Sequence, residues 1–296
     1  MIIKLLKILN KQQYRLTDIA KMLDISVFSL LELIGNINRP QKLIVNNYHN
    51  EYYLLEPLDF LDGQRIIDGL ATHAIDDYSL VVMDQVASTN SYVLANLNQY
   101  SNKTLVTTEY QNDGRGRSSK KWISKIASDF TLSYYYKLDN VNFNALPLLV
   151  AVSLAECFKL YDMECLIKWP NDMYYNQNKI AGILVESRTT SNTAHVVIGV
   201  GINNINHFAR NEFIVNFTQI LDSYITTYQL FGFPSFVEAW NSLCFHLNHP
   251  VMVSYEDIKI SGTVIGVDNN GSLLIKLGNG DVIAHHDTRY SLIMEE

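Results

Sequence analysis

Apolar positions along the chain change their spacing twice, and each change marks a unit. Ile2 to Leu9 repeats at helical spacing. Thr17 can cap a second helix that turns Ile19, Ala20 and Leu23 inward, and Asp24-Ile25 makes a short break. Ser26 can cap a third helix running to about Ile34. Leu43 to Val45 and Tyr52 to Leu55 then flank the polar turn Asn46 to Asn50, which reads as a hairpin. Three helices followed by a hairpin is the order of a winged helix-turn-helix, expected over residues 1–62. Pro57 to Leu70 reads as a connector.

From about residue 78 the spacing alternates between two and three to four. Strands are expected at Leu80–Met83, Leu105–Thr108, Phe130–Tyr136, Leu166–Trp169, Met173–Tyr175, Lys179–Glu186 and Val196–Ile202. Between them, Ser88-Thr89-Asn90 caps a helix and Leu146 to Leu160 forms a long apolar one. Ser235 to Glu238 has the form of a capping box before a helix to about Leu247. This is an α+β sheet domain, expected over 63–248. After Pro250, short strands at Val251–Tyr255, Ile260–Val267, Ser272–Leu277, Val282–Ala284 and Ser291–Ile293 are separated by turn signals, Asp268 to Gly271 and Gly278 to Gly280. A small β-barrel over 249–296 is expected. There is no internal repeat.

Composition narrows the classes. The chain has 296 residues, 48% of them hydrophobic and 18% charged, enough for a large core and too apolar for disorder. A net charge of -7 means that any nucleic-acid contact must come from a local patch. Three cysteines, Cys157, Cys165 and Cys244, without a CxxC pair argue against a disulfide framework and fit a reduced, cytoplasmic setting. Lys4 and Lys7 interrupt the apolar N-terminus, so it does not read as a signal peptide. No apolar run reaches the ~18 to 20 residues that cross a bilayer.

Four segments carry candidate chemistry. In Glu109-Tyr-Gln-Asn-Asp-Gly-Arg-Gly-Arg-Ser-Ser-Lys-Lys-Trp122, Gly114 and Gly116 allow positive φ and close approach of backbone to a ligand. Arg115 and Arg117 supply planar donors for phosphate or carboxylate, Lys120 and Lys121 add charge, and Trp122 can stack on a flat ring. A solvated loop or a nucleic-acid contact fits the same composition. In Lys168-Trp-Pro-Asn-Asp172 and Lys179 to Glu186, Pro170 fixes chain direction beside Asn171 and Asp172. Lys179, at a buried strand start, needs an anionic partner, unless it is simply solvated. Ser88-Thr89-Asn90 is either a plain N-cap or a helix N-terminus offered to an anion. Val197 to Asn204 begins like a dinucleotide fingerprint, but Asn204 replaces the third glycine and no βαβ unit surrounds it. Gly199 and Gly201 more plainly open room for a nucleotide ring. No P-loop, GxSxG, HExxH or nucleophilic cysteine motif is present, and His285-His286 reads as a surface pair without a metal-ligand pattern.

In this order and spacing, STN at 88–90, EYQ..GRGR....W at 109–122, KWPND at 168–172, KIAGILVE at 179–186 and VIGVGIN at 197–203 resemble the biotin–protein ligases, and the N-terminal unit resembles that of the bifunctional members. The resemblance implies a mixed-sheet catalytic domain of the biotin/lipoate ligase, class II synthetase-like type, between a winged helix-turn-helix and an SH3-like barrel. It implies formation of biotinyl-5′-AMP from biotin and Mg-ATP, then transfer of biotin to one lysine of the biotin carboxyl carrier protein of acetyl-CoA carboxylase. No resident metal is implied, magnesium entering with ATP.

Carried residue by residue, Ser88, Thr89, Asn90, Gln111, Arg115, Gly116, Arg117 and Lys179 would hold biotin. Arg117, Trp122, Lys168, Asn171, Ile202 and Asn203 would surround the nucleotide. Lys179, Arg115 and Asp172 would carry the chemistry, Lys179 bridging carboxylate and α-phosphate and Asp172 contacting magnesium or orienting the lysine. A homodimer in the liganded state and repression at operator DNA would follow as well.

Two departures stand out. Ser118-Ser119 occupy positions where the family often has Arg and Gly. The helix from Ser26 to Asn36 contains no Lys or Arg, carries Glu32, and has Phe28 and Leu33 on its less buried side, whereas Lys21, Arg39 and Lys42 lie nearby. A lipoate–protein ligase, or a repressor that senses biotinyl-AMP without transferring biotin, are the competing readings.

Overall fold

The computed structural model describes residues 1–39, 43–47, 49–75, 77–139, 142–190, 193–203, 208–255, 258–286 and 291–294. The N-terminal unit holds α1 (Ile2–Leu9), β1 (Tyr14–Arg15), α2 (Leu16–Leu23), α3 (Val27–Asn38), β2 (Ile44–Asn46) and β3 (Glu51–Leu54). Ser26 caps α3 by accepting from the Ser29 amide, but Thr17 caps nothing: the N-cap of α2 is Arg15, two residues earlier, without a side-chain bond. The hairpin of β2 and β3 gains an unexpected third strand, β1, giving the order β1-β3-β2. In α3, Leu30, Leu33, Ile34 and Ile37 follow the i, i+3, i+4, i+7 rule and pack into the unit's own core, so Leu33 faces in and Leu31 faces out. Lys42 lies outside the described residues.

The expected connector is in part a helix. Asp62 caps α4 (Gly63–Thr72), and Ile66 and Leu70 are buried in the main core. The central sheet contains β4 (Ser79–Met83), β5 (Thr104–Thr108), β6 (Phe130–Leu138), β7 (Leu166–Lys168), β8 (Asp172–Tyr175), β9 (Asn178–Thr190) and β10 (Thr193–Ile202) in the order β4-β5-β6-β10-β9-β8-β7. β4 and β5 are parallel and every other pair is antiparallel, so the sheet is mixed. α5 (Thr89–Ala95) covers one face, where Val93 meets Val106, Tyr135 and Val197. The other face carries α4, α6 (Leu146–Lys159) and α7 (Arg210–Phe231). α6 is apolar nearly all round because it is enclosed nearly all round. The Ser235–Glu238 box does not form. Residues Phe233–Phe236 make a 3-10 turn instead, and α8 (Val237–Ser242) follows without a side-chain cap.

The last unit is a five-stranded antiparallel sheet of β11 (Pro250–Tyr255), β12 (Ile258–Val267), β13 (Leu273–Lys276), β14 (Val282–His285) and β15 (Ser291–Met294), ordered β14-β13-β12-β11-β15. Among the described residues, its two end strands do not pair with each other. It has no separate core: Val251, Val264, Leu273 and Ile275 join the main one. Trp169 fixes it there, donating its indole N–H to the Gly271 carbonyl at 3.1 Å and packing edge-on against His285. His285 is therefore buried rather than superficial, while His286 is exposed.

Candidate active site

Pairing register builds the site's floor. Lys168 of β7 pairs with Asp172 of β8, Asp172 with Gly182 of β9, Gly182 with Gly201 of β10, and Gly201 with Thr131 of β6. One step along, Leu184, Gly199 and Ser133 form a second row. Side chains alternate faces along a strand, so these small residues all point to one side and leave a depression. A cavity of about 470 Å³ lies over it. Lys179 would point to the core under strict alternation. A bulge, where Tyr174 pairs with Lys179 and Met173 with Ala181, adds one residue to β9; Ile180 joins Ala181 in the core and Lys179 reaches the cavity.

Protein side chains take up the room that two glycines leave. A methyl group at Gly199 would stand 2.5 Å from Asn90 Oδ1, and one at Gly201 would overlap the indole of Trp122. The glycines thus admit Asn90 and Trp122 to the floor, and not a ring of the ligand alone. Asn90 is fixed by donating to the Leu184 carbonyl and to Glu186, and by accepting from Ser133. Ser133 also reaches Thr89, whose amide donates to Gln111 Oε1 at 2.7 Å. Ser88 caps α5.

The loop over the floor runs from Gln111 to Trp122. Gly114 and Gly116 do not adopt positive φ; Ser118 and Ser119 do, at 50° and 59°. Such backbone is disfavoured for residues with a Cβ, so the strained point of the loop lies at the two serines. Gly114 is required by crowding instead, since a methyl group there would be 2.5 Å from the Trp122 carbonyl oxygen.

Three of the cavity's cations have a protein acceptor. Arg115 pairs with both oxygens of Glu186, at 2.7 and 3.0 Å. Arg117 donates to the side-chain oxygen of Asn171. Lys179 pairs with Asp172 at 2.7 Å and lies over the Trp122 ring; with 41% of its side chain exposed it is not the buried ammonium expected. Burial pushes the Arg117 guanidinium below its ordinary pKa, with Asp172 opposing. Burial also lowers the Lys168 ammonium, Asp172 opposing and Lys179 and Lys120 adding to the effect. Crowded cations of depressed basicity favour an anionic ligand.

All the expected residues line the cavity except Ile202 and Asn203. Ile202 pairs with Phe130 and Ala181, one residue out of phase with Gly201, and so lies in the core. Asn203 follows the strand and donates its amide to the Ile180 carbonyl. Asn204 lies outside the described residues. The sequence reading missed Glu186, whose carboxylate ties Arg115 to Asn90, and Thr131, Tyr174 and Leu292, which also line the cavity. Leu292 comes from β15, a contribution that only the packing of the last sheet reveals. Among the described residues, no group of three or more His, Cys, Asp or Glu could hold a metal ion.

A floor of small residues, a loop rich in arginine and two further lysines around one cavity define a class of site, one equipped to hold anions. Residues 82–203 match the Biotin/lipoate A/B protein ligase family, and residues 246–287 match the Biotin protein ligase C terminal domain. The bifunctional ligase/repressor BirA of Escherichia coli is 30% identical over 76% of each chain. That of Bacillus subtilis is 26% identical over 77% of this chain and 78% of its own. The biotin protein ligase of Aquifex aeolicus, solved with biotin and ATP, is 21% identical with a TM-score of 0.64, covering 73% of this chain and 99% of that one. The chain belongs to the biotin–protein ligase family, and it is a ligase. Among the described residues, no helix is long and apolar enough to cross a membrane.

Proposed function

We propose that the enzyme joins biotin to ATP as biotinyl-5′-AMP and then passes biotin to a lysine of the biotin carboxyl carrier protein of acetyl-CoA carboxylase. The observation that carries this reading is the convergence of Lys179, Lys168, Arg115 and Arg117 on one cavity floored by Gly182, Gly199 and Gly201. A carboxylate and a phosphate repel each other, and fixed cations offset that repulsion most where charge builds up on the pentavalent phosphorus. Lys179 bridges carboxylate and α-phosphate, leaving Asp172 as the anions arrive, and Arg115 leaves Glu186 in the same way. Ser88, Thr89, Asn90, Gln111, Gly116 and Arg117 hold biotin. Trp122, Lys168, Asn171 and Arg117 face the nucleotide, and Ile202 and Asn203 support it only from behind. Magnesium would enter with ATP, and Asp172 in the cavity lining would face it. The ligands named for the solved Aquifex aeolicus relative support both substrates.

The chain divides, on this reading, into a winged helix-turn-helix over 1–62, the catalytic domain over 63–248 and an SH3-like unit over 249–296, in a cytoplasmic protein that dimerises when liganded. The names of the Escherichia coli and Bacillus subtilis relatives support a second role as repressor of biotin synthesis. α3 does not favour it: it has no cation, and Glu32 is exposed. A gel shift with biotin, ATP and a biotin-operon promoter decides that role, and no shift at micromolar protein removes it. Thermal stabilisation tests the main reading. Biotin raises the melting temperature and lipoate does not; the reverse makes the enzyme a lipoate ligase.

A further inference from the structure

Glu109 and Arg210 form an ion pair at 2.6 Å with both side chains 1% exposed, whereas pairs such as Arg115–Glu186, Lys179–Asp172 and Lys103–Asp222 reach solvent. Neither residue lines the cavity. Three segments meet at this pair. Glu109 stands two residues before the ligand loop, and its other carboxylate oxygen accepts the Leu61 amide at 2.6 Å. Arg210, at the start of α7, donates to the Asp129 carbonyl at 3.1 Å, where the chain returns from the loop to β6. It also donates to the Asp59 carbonyl at 2.9 Å, and its own amide donates to the Asp59 carboxylate. Asn211 repeats the tie, bonding the Asp62 amide and the Phe60 carbonyl. Between the loop's two feet, Ala127 donates to the Glu109 carbonyl, and Ile126 and Ala127 lie in the core of the N-terminal unit.

We propose that Arg210 is a positioning residue for the ligand loop, holding both feet of the loop and the 59–62 linker at one fixed point. The inference rests on the proposed binding of biotin and ATP under that loop. Gln111 stands two residues beyond Glu109 and grips Thr89, so a shift of the foot moves the biotin site directly. A guanidinium can serve the carboxylate and two carbonyls at once because its donors form a rigid fork; an ammonium in the same place keeps the charge and loses the fork. The clamp also ties the loop to the N-terminal unit, so ordering of the loop and of the linker rise together.

Arg210→Lys tests the clamp. Trypsin has Arg115, Arg117, Lys120 and Lys121 to cut within the loop. In the unaltered enzyme, biotin with ATP protects these bonds. The variant needs on the order of tenfold more biotin for equal protection, and its KM for biotin rises by a similar factor while kcat changes less than twofold. Unaltered KM and protection in a folded Arg210→Lys protein overturn the proposal. If the variant does not fold, hydrogen exchange in the unaltered enzyme takes its place: biotin with ATP slows exchange at 59–62 as well as in the loop, and slowing confined to the loop overturns it. Failure of the underlying reading looks different, since the unaltered enzyme then gains no protection from biotin and ATP.

Discussion

The cavity over the central sheet and the outer face of α3 make opposite use of charge in one acidic chain. Around the cavity, Lys168, Lys179, Arg115, Arg117, Lys120 and Lys121 converge on a floor stripped to small residues. On α3 there is no cation, and Phe28 and Leu31 are 71% and 44% exposed beside the anionic Glu32. The difference shows where this protein is equipped to hold anions. The cavity suits phosphate and carboxylate; α3 has no Lys or Arg to hold phosphates or read guanine edges.

The largest expected effect lies in the cavity. Lys179→Ala lowers adenylate formation by on the order of a hundredfold or more, the scale of one preorganised electrostatic contact. Pyrophosphate release from biotin and ATP measures this, and a near-normal rate removes Lys179 from its role.

Acid separates the two regions next. His246 is 1% exposed and burial holds its imidazole down to about 4, Lys168 and His249 adding to the effect. The folded protein therefore binds fewer protons than the unfolded chain between about pH 4 and the ordinary value of 6.5. Stability in that window falls as pH falls, by about 2 kcal/mol between pH 6.5 and 5. The loss belongs to the region that encloses His246, outside the N-terminal unit. Urea denaturation at the two pH values checks it; an unchanged slope in His246→Leu contradicts the assignment.

Gly201→Ala sharpens the account of the floor. The added methyl group displaces the Trp122 indole, and KM for ATP rises roughly tenfold, about 1.4 kcal/mol, with less effect on kcat. Smallest of all is Phe28→Ser on α3. Ligase turnover and melting temperature stay unchanged, since exposed substitutions usually alter stability by less than about 0.5 kcal/mol. A clear loss of turnover would join the two regions more closely than their separate cores imply.

Spacing made much of this visible. The strands at 130–138 and 193–202 and the helix at 146–159 follow from two-residue and all-round apolar patterns. Phe213, Ile214, Phe217, Leu221, Ile225 and Tyr228 also stand at helical spacing, so α7 was legible although no element was assigned there. Other features were not. A bulge breaks the period that would place Lys179, and nothing local marks it. The row from Lys168 to Thr131 exists only through the pairing of five strands. Glu109 and Glu186 read as ordinary charges until the packing of α7 and of the loop brings Arg210 and Arg115 to them. Ile202 sits next to Gly201 in the motif, yet alternation sends it to the opposite face.

Incubating the enzyme with labelled biotin, Mg-ATP and a biotin carboxyl carrier domain shows whether the cationic cavity activates biotin for transfer to protein. Covalent label is expected on one carrier lysine, dependent on ATP and lost in Lys179→Ala. Adenylate that forms and stays bound, with no label on the carrier, would contradict it and leave a sensor in place of a ligase.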